Sequence, residues 1–368
     1  MPPSSPDPAV LRPDPDGLAA LLTLRALPGL GDERIRLLLE RHGSPEAALA
    51  GLGAVDPAAA AAARSARVRG RVETARHSIA EIGAVALVIG GPGYPQFAGL
   101  ADPPPILFAL GDRSLLDRTS VAVVGSRRHT EYGADATRWI VGGLVRAGVV
   151  VASGLAHGID RIAHEAALDA GGRTFAVIGC GIDVEYPATN APLQRRIRGE
   201  GLLLSEFLPG DPALPYHFPK RNRLLAALTA ATVVVEAAHG SGSLITAGHA
   251  LDLGRDVFAV PGPIGRSTSD GTNRLIRDGA GIVTGPDDIL LAIGARGGVE
   301  PGAGAAAKAP GTEPALTVWS ALAAGPMHVD DLSRVAGVGL AGILQLLLEM
   351  ELEGQVRQLP GKRFGRAA

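Results

Sequence analysis

Val121-Ala-Val-Val-Gly-Ser-Arg127 is followed, after a helix-length amphipathic segment, by Val149-Val-Val-Ala-Ser-Gly154-Leu-Ala-His-Gly-Ile-Asp160. Each stretch opens as a short apolar run rich in β-branched residues and ends in small residues that turn the chain. The same unit recurs: apolar runs stand at Thr174–Ile178, Leu202–Leu204, Val233–Val235, Val257–Val260 and Ile282–Val283. Most are separated by segments long enough for a helix. Short strands that are apolar on both faces, alternating with helices, predict a doubly wound, mostly parallel sheet covered on both sides, an α/β fold spanning residues 81–295. Val85–Ile89 and Ile106–Leu110 are two further candidate strands in the Pro-rich stretch before it.

Outward from this block the chain changes character. Residues 17–80 repeat leucine and isoleucine near helical spacing (Leu21, Leu22, Leu24, Ile35, Leu37, Leu38, Leu39), and Ala58 to Ala63 favours helix, so an N-terminal helical domain is expected. Its turn, Leu27-Pro-Gly-Leu-Gly31, has the look of a helix-hairpin-helix, in which glycine N–H groups meet a DNA phosphate; a small packing module is the preferred reading. Residues 1–16 read as a disordered tail without the basic and apolar regions of a signal peptide. Residues 296–314 are rich in Gly, Ala and Pro and read as a linker. Three helical patterns, Ala315–Ala324, Val329–Val335 and Leu340–Glu353, then precede a hairpin over Val356–Phe364 turning at Pro360-Gly361, which suggests a winged helix over 315–368.

Composition narrows the function. A formal charge of −2 gives no global basic field, so contact with nucleic acid must come from a local cluster. The one cysteine, Cys180, leaves no internal disulfide and fits a cytoplasmic setting; no apolar run reaches membrane-spanning length, so no membrane partner is expected. Ligands of a doubly wound sheet bind beyond the carboxyl ends of its strands. Those ends carry Gly125-Ser126-Arg127, Ser153-Gly154, Gly179-Cys180-Gly181, Ser205-Glu206, Glu236 with Gly240-Ser241-Gly242-Ser243, and Pro261-Gly262. Small residues, hydroxyls and helix N-termini along one edge favour phosphate. Neither a dinucleotide fingerprint nor a Walker A pattern occurs, so no cofactor is expected. Nor is a metal: of His157, Asp160 and His164, Asp160 is read as a helix-capping carboxylate and His164 as its neighbour, and no second cluster completes a coordination shell. Glu206 and Glu236 are expected to bind backbone N–H groups or arginines, and no catalytic residue is assigned.

The stretch from Glu206 to Arg223, E-F-L-P-G-D-P-A-L-P-Y-H-F-P-K-R-N-R, is the sharpest feature. In a chain only 4% aromatic, Phe207, Tyr216 and Phe218 stand beside Lys220, Arg221 and Arg223. Stacking rings next to phosphate-binding cations are what single strands need. The prolines suggest an extended loop ending at Asn222. At least one ring is expected to anchor that loop to the core.

Together these motifs resemble the DprA/Smf family of DNA-processing proteins. The likeness is carried by V-A-V-V-G-S-R at Val121–Arg127, S-G-L-A-H-G-I-D-R-I-A-H at Ser153–His164, V-I-G-C-G-I-D-V-E-Y-P at Val177–Pro187, L-L-S-E at Leu203–Glu206, F-P-K-R-N-R at Phe218–Arg223, V-V-V-E-A at Val233–Ala237, S-G-S-L-I-T-A at Ser241–Ala247 and G-R-D-V-F-A-V-P-G at Gly254–Gly262. The resemblance implies an extended Rossmann-like fold, single-stranded-DNA binding, a homodimer, and help in loading RecA recombinase during natural transformation. The implied binding set is Gly125, Ser126, Arg127, Ser153, Gly154, Asn190, Phe218, Lys220, Arg221, Asn222, Arg223, Ser241, Gly242, Ser243 and Thr246, with Arg127 and Lys220 sharing one phosphate pocket. The alternative is a nucleoside monophosphate N-glycosidic hydrolase on a related fold. Against it, no carboxylate follows Gly240–Thr246 until Asp252.

Overall fold

The computed structural model describes residues 15–295, 313–322, 327–353, 355–359 and 362–366. Most of the expected tail and linker, and the Pro360-Gly361 turn, lie outside them. Helix α1 (Pro15–Ala26) starts two residues before the expected boundary, with proline in its first turn, where a missing N–H leaves no bond unmade. It is followed by α2 (Asp32–His42), α3 (Pro45–Val55), α4 (Pro57–Ala63) and α5 (Ala66–Ile82). Ser44, Asp56 and Ser65 cap the N-termini of α3, α4 and α5 through their side chains. Leu21, Leu22, Leu24, Ile35 and Leu52 are fully buried, and they share one core with Ile106, Phe108 and Leu203 of the sheet. The Leu27–Gly31 turn is a packing joint: Leu27 and Leu30 are buried and Gly29 takes a left-handed φ of 76°.

Among the described residues the sheet has nine strands, and all nine apolar runs read from the sequence lie in it: β1 (Val85–Val88), β2 (Ile106–Gly111), β3 (Ser120–Val124), β4 (Val150–Ser153), β5 (Thr174–Val177), β6 (Leu202–Ser205), β7 (Ala231–Val234), β8 (Asp256–Ala259) and β9 (Gly281–Ile282). Their order is β1-β2-β6-β5-β4-β3-β7-β8-β9. β3 to β9 run parallel, while β2 pairs antiparallel with both β1 and β6. Between the parallel strands run α6 (Glu131–Arg146), α7 (Ile159–Asp169), α8 (Ala191–Glu200), α9 (His217–Ala227), α10 (Gly242–Asp252) and α11 (Ser267–Arg277); α12 (Pro286–Ala292) follows β9. The two-residue pleat divides the core. Val121 and Val123 face Ile140, Leu144 and Ile159 on one side, while Ala122 and Val124 belong to the cluster with Leu224, Leu225 and Ala247 on the other. Burying each such valine or leucine stabilises the fold by about 1.5–3 kcal/mol.

The second unit contains α13 (Glu313–Ala321), β10 (Met327–His328), α14 (Val329–Ala336), α15 (Leu340–Leu352), β11 (Val356–Leu359) and β12 (Arg363–Arg366). Its sheet order is β10-β12-β11, so the expected hairpin gains a third strand, two residues long. Val318, Leu332, Ile343, Leu347 and Phe364 form its core. The arrangement is a winged helix. Among the described residues no single helix is long and apolar enough to cross a membrane.

Candidate nucleic-acid interface

From β3 the chain winds outward through β4, β5 and β6, then returns to pair β7 on the opposite side of β3. Such a reversal opens a crevice beyond the carboxyl ends of the two strands. A groove of about 850 Å³ lies there. Of the expected binding set, Gly125, Ser126, Arg127, Phe218, Arg221, Asn222, Ser241, Gly242, Ser243 and Thr246 line it. Gly154 lines an adjoining small slot with Arg127, Tyr186 and Phe218. Ser153, Asn190, Lys220 and Arg223 line neither.

Close packing fixes the first wall. A Cβ on Gly125 would stand 2.8 Å from Ile159 Cγ1, and one on Gly158 would collide with the Ser126 carbonyl. The α7 N-terminus therefore lies tight under the Gly125–Arg127 turn, with Ile159 N donating to Ser126 O. Thr130, which caps α6, donates its N–H and hydroxyl to the two oxygens of Glu236. Glu236 thus binds a backbone N–H, as its place after β7 suggests. Arg127 extends over Phe218, 5.5 Å from the ring centroid, and the ring of Tyr186 stands 5.6 Å from that of Phe218.

The loop after β4 is held from beneath. Gly154 N and Ala156 N donate to Asp160 in the first turn of α7, so this carboxylate ties down the preceding loop rather than capping the helix as expected. Asn190 donates to Leu155 O and Ala156 O, and Arg221 to Gly154 O. Leu155 has a left-handed φ of 56° with its side chain buried, a backbone that persists only when its surroundings impose it. Ser153 gives its hydroxyl to Val123 O. Ser153 and Asn190 are thus buried supports of the loop. Burial pushes the Asp160 carboxyl up and the Arg221 guanidinium down, and each opposes the other's shift. The buried His164 bonds Thr174, and burial pushes the Cys180 thiol up to about 12.

The segment around Lys220 departs from expectation. Residues 217–222 are the start of α9, not the end of an extended loop. Pro219 sits in the first turn, where helices tolerate proline. At about 100° per residue, Phe218, Arg221, Asn222 and Leu225 share the groove face, and Lys220 and Arg223 turn away from it. Arg127 and Lys220 therefore do not share one pocket; they stand on two sides of one helical turn. Lys220 Nζ lies 2.5 Å from Asp32 and 3.4 Å from Glu206. Arg223 bridges Glu206 and Asp102, and Arg25 pairs with Asp32. Burial works against the Asp32 charge, but Arg25 and Lys220 outweigh it and hold its carboxyl below the usual range. Burial pushes Glu206 up against the pull of Arg223 and Lys220. Among the rings, Phe207 is the anchor, buried and stacked 3.9 Å from His217, while Tyr216 is exposed.

Among the described residues around the groove, the cations are Arg127, Arg128 and Arg221, and the one lining carboxylate is the buried Asp160. α10 and α11 present their N-termini to it through Gly242, Ser243, Ser267 and Thr268. The chemistry favours an anion carrying aromatic groups. A family model described as DNA recombination-mediator protein A matches residues 86–294, and a DprA winged helix domain matches residues 302–362. The chain belongs to this recombination-mediator family. Protein Smf of Escherichia coli is 40% identical over 273 residues, 73% of each chain. The solved structure of DNA processing protein A from Streptococcus pneumoniae superposes with a TM-score of 0.64 at 37% identity, covering 74% of this chain and 97% of that one. DNA processing protein A from Helicobacter pylori, whose structure was solved for its single-stranded-DNA binding mode, gives 0.52 at 32% identity, covering 57% and 95%. Sequence reasoning missed Arg128, Tyr186, His239, Ser267 and Thr268, which also line the groove. Arg128 directly follows the quoted motif and was within reach. Ser267 and Thr268 carry no local signal, because the fold alone brings α11 to this edge.

Proposed function

We propose that the groove holds single-stranded DNA and that the chain is a cytoplasmic recombination mediator, a homodimer that protects incoming strands and helps load RecA. The observation that carries this reading is Arg127 over Phe218 at an anion-favouring groove: the guanidinium meets a phosphate while the ring stacks a base. Lys220, part-exposed at the far side of the α9 turn, reaches a strand crossing that turn if it leaves Asp32. The related Helicobacter pylori protein, whose structure displays a single-strand binding mode, supports the same ligand here. Family membership supports the recombination role. For the homodimer, the support is that β9 ends the sheet among the described residues, with Ile282 on it exposed.

The reading is one of binding without turnover. Both oxygens of Glu236 are engaged by Thr130, and Asp160 is tied to backbone N–H groups, so neither offers a free acid or base to a nucleotide. The test is twofold. Fluorescence anisotropy should show preference for a single strand over a duplex of equal length. Nucleoside monophosphates incubated with the protein should yield no free base by chromatography; product in molar excess over protein would support the hydrolase instead.

A further inference from the structure

The stretch from Pro57 to Val72, P-A-A-A-A-A-A-R-S-A-R-V-R-G-R-V, holds four arginines and no carboxylate, in a chain of net charge −2. Arg64 follows α4, and Arg67, Arg69 and Arg71 lie in the first two turns of α5; all four are exposed. Three features of this stretch work against the helix. Arg67 stands in the first turn, where the helix dipole disfavours a cation. Arg67 and Arg71 are four residues apart, a repelling pair. Gly70 sits inside the helix, where glycine is costly relative to alanine. Its φ is not left-handed, and a Cβ there would meet nothing within 4 Å, so neither backbone nor packing requires it. Of the four arginines, only Arg71 forms an ion pair among the described residues, with Asp211.

Helix geometry gives the stretch a shape. At about 100° per residue, Ala66 and Gly70 make a floor of small residues, with Arg67 and Arg71 along one side and Arg69 on the other. An extended phosphate backbone fits such a floor. The flank with Arg71 is tied to two loops that run on to the groove: Arg71 pairs with Asp211, and Ser78 donates to Asp183. Pro215 and Tyr186, four and three residues further along those loops, line the groove. Four residues span at most about 14 Å. Tyr216, beside Pro215, is 67% exposed and offers a ring on the way. The carboxylates nearby are engaged: Asp211 by Arg71, Asp183 by Ser78 and Gly210 N, and Glu185 by Arg195. We propose that the start of α5 is a second contact for the single strand, taking its phosphates after they leave the groove past Tyr216. The proposal rests on the groove being the primary site.

The test measures anisotropy of labelled oligothymidylates, from about 4 to about 16 nucleotides, on the full chain. Parent affinity should rise past the length that the groove alone holds. Arg67→Ala with Arg69→Ala, and independently Gly70→Glu, should leave the shortest bound oligonucleotide at parent affinity and remove that gain. For the longest one, the arginine pair should cost about tenfold and flatten the salt slope by about 1.4, two phosphates at about 0.7 each. All three positions are exposed, and circular dichroism should confirm an unchanged fold. Arg127→Ala should weaken every length, so failure of the groove reading shows in the short oligonucleotide and failure of this proposal in the length gain. No gain with length in the parent, a gain kept by both variants, or equal losses at every length would overturn the proposal. So would loss of duplex binding with the single-strand gain intact, which would assign α5 to a duplex.

Discussion

Lys220 and Asp32 show how one contact redirects a motif. A lysine beside aromatic residues reads as a phosphate ligand, but here its charge is already met by a carboxylate 188 positions away in sequence. DNA must replace Asp32 to use it. Asp32→Asn is therefore expected to strengthen single-strand binding and to steepen the plot of log affinity against log salt by up to about 0.7, the single-strand value for one phosphate. Lys220→Ala should weaken binding less than Arg127→Ala, and should remove the gain when combined with Asp32→Asn. Affinity titrations of the double-mutant cycle check this; independent, additive effects would refute the coupling. His164 supplies a second test. Thr174 donates its hydroxyl to Val151 O, so it accepts from Nδ1–H of the buried imidazole. Burial, reinforced by Arg221, depresses the His164 pKa to about 3. The unfolded chain binds this proton near 6.5, so the stability is present above that value and is lost as pH falls toward 3. Between pH 7 and 4.5 the loss from this group is about 2–3 kcal/mol. Urea unfolding at the two pH values should show His164→Asn losing about 2 kcal/mol less than the parent; equal losses would contradict it.

At the scale of elements, the strands of the large sheet and the starts of α14 and α15 were legible, while β10 and the start of α9 were not. Nine apolar runs became nine strands: β3 to β9 because parallel strands covered on both faces need runs of Val, Ile and Leu, and β1 and β2 as an antiparallel extension of the same sheet. β10 was missed because Met327-His328 has no pattern of its own and becomes a strand only by pairing with Phe364 and Arg363. α9 was misread because Pro219 signals extension in most settings yet is compatible with a first helical turn. The expected loop ran to Asn222, six residues into α9, and the helix that starts at His217 sends Lys220 and Arg221 to different sides. The Gly125 turn was legible as small and is also sterically obligatory. Gly125→Ala would press a methyl to 2.8 Å from Ile159 and 3.1 Å from Glu236 O. It should cost about 1–3 kcal/mol by urea unfolding and weaken single-strand binding by shifting Arg127. A variant with unchanged stability and affinity would show that the α7–turn packing does not set the site.

Across the whole molecule, a chain of net charge −2 has to concentrate its positive potential to hold DNA. The fold does this by topology: the strand-order reversal gathers Arg127, Arg128 and the α10 and α11 N-termini at one crevice. That gathering was legible because nearly every strand is followed by small residues, whereas the burial of Ser153, Asn190 and Arg223 was not, since residue type alone does not separate a ligand from the support behind it. The central claim is that Arg127 meets a phosphate of a single strand in this groove. It is tested most directly by the salt dependence of oligonucleotide binding for the parent chain and for Arg127→Ala. The account predicts weaker binding to every sequence alike and a slope shallower by about 0.7, the loss of one released counterion. Unchanged affinity and slope in a folded Arg127→Ala protein would place the DNA elsewhere.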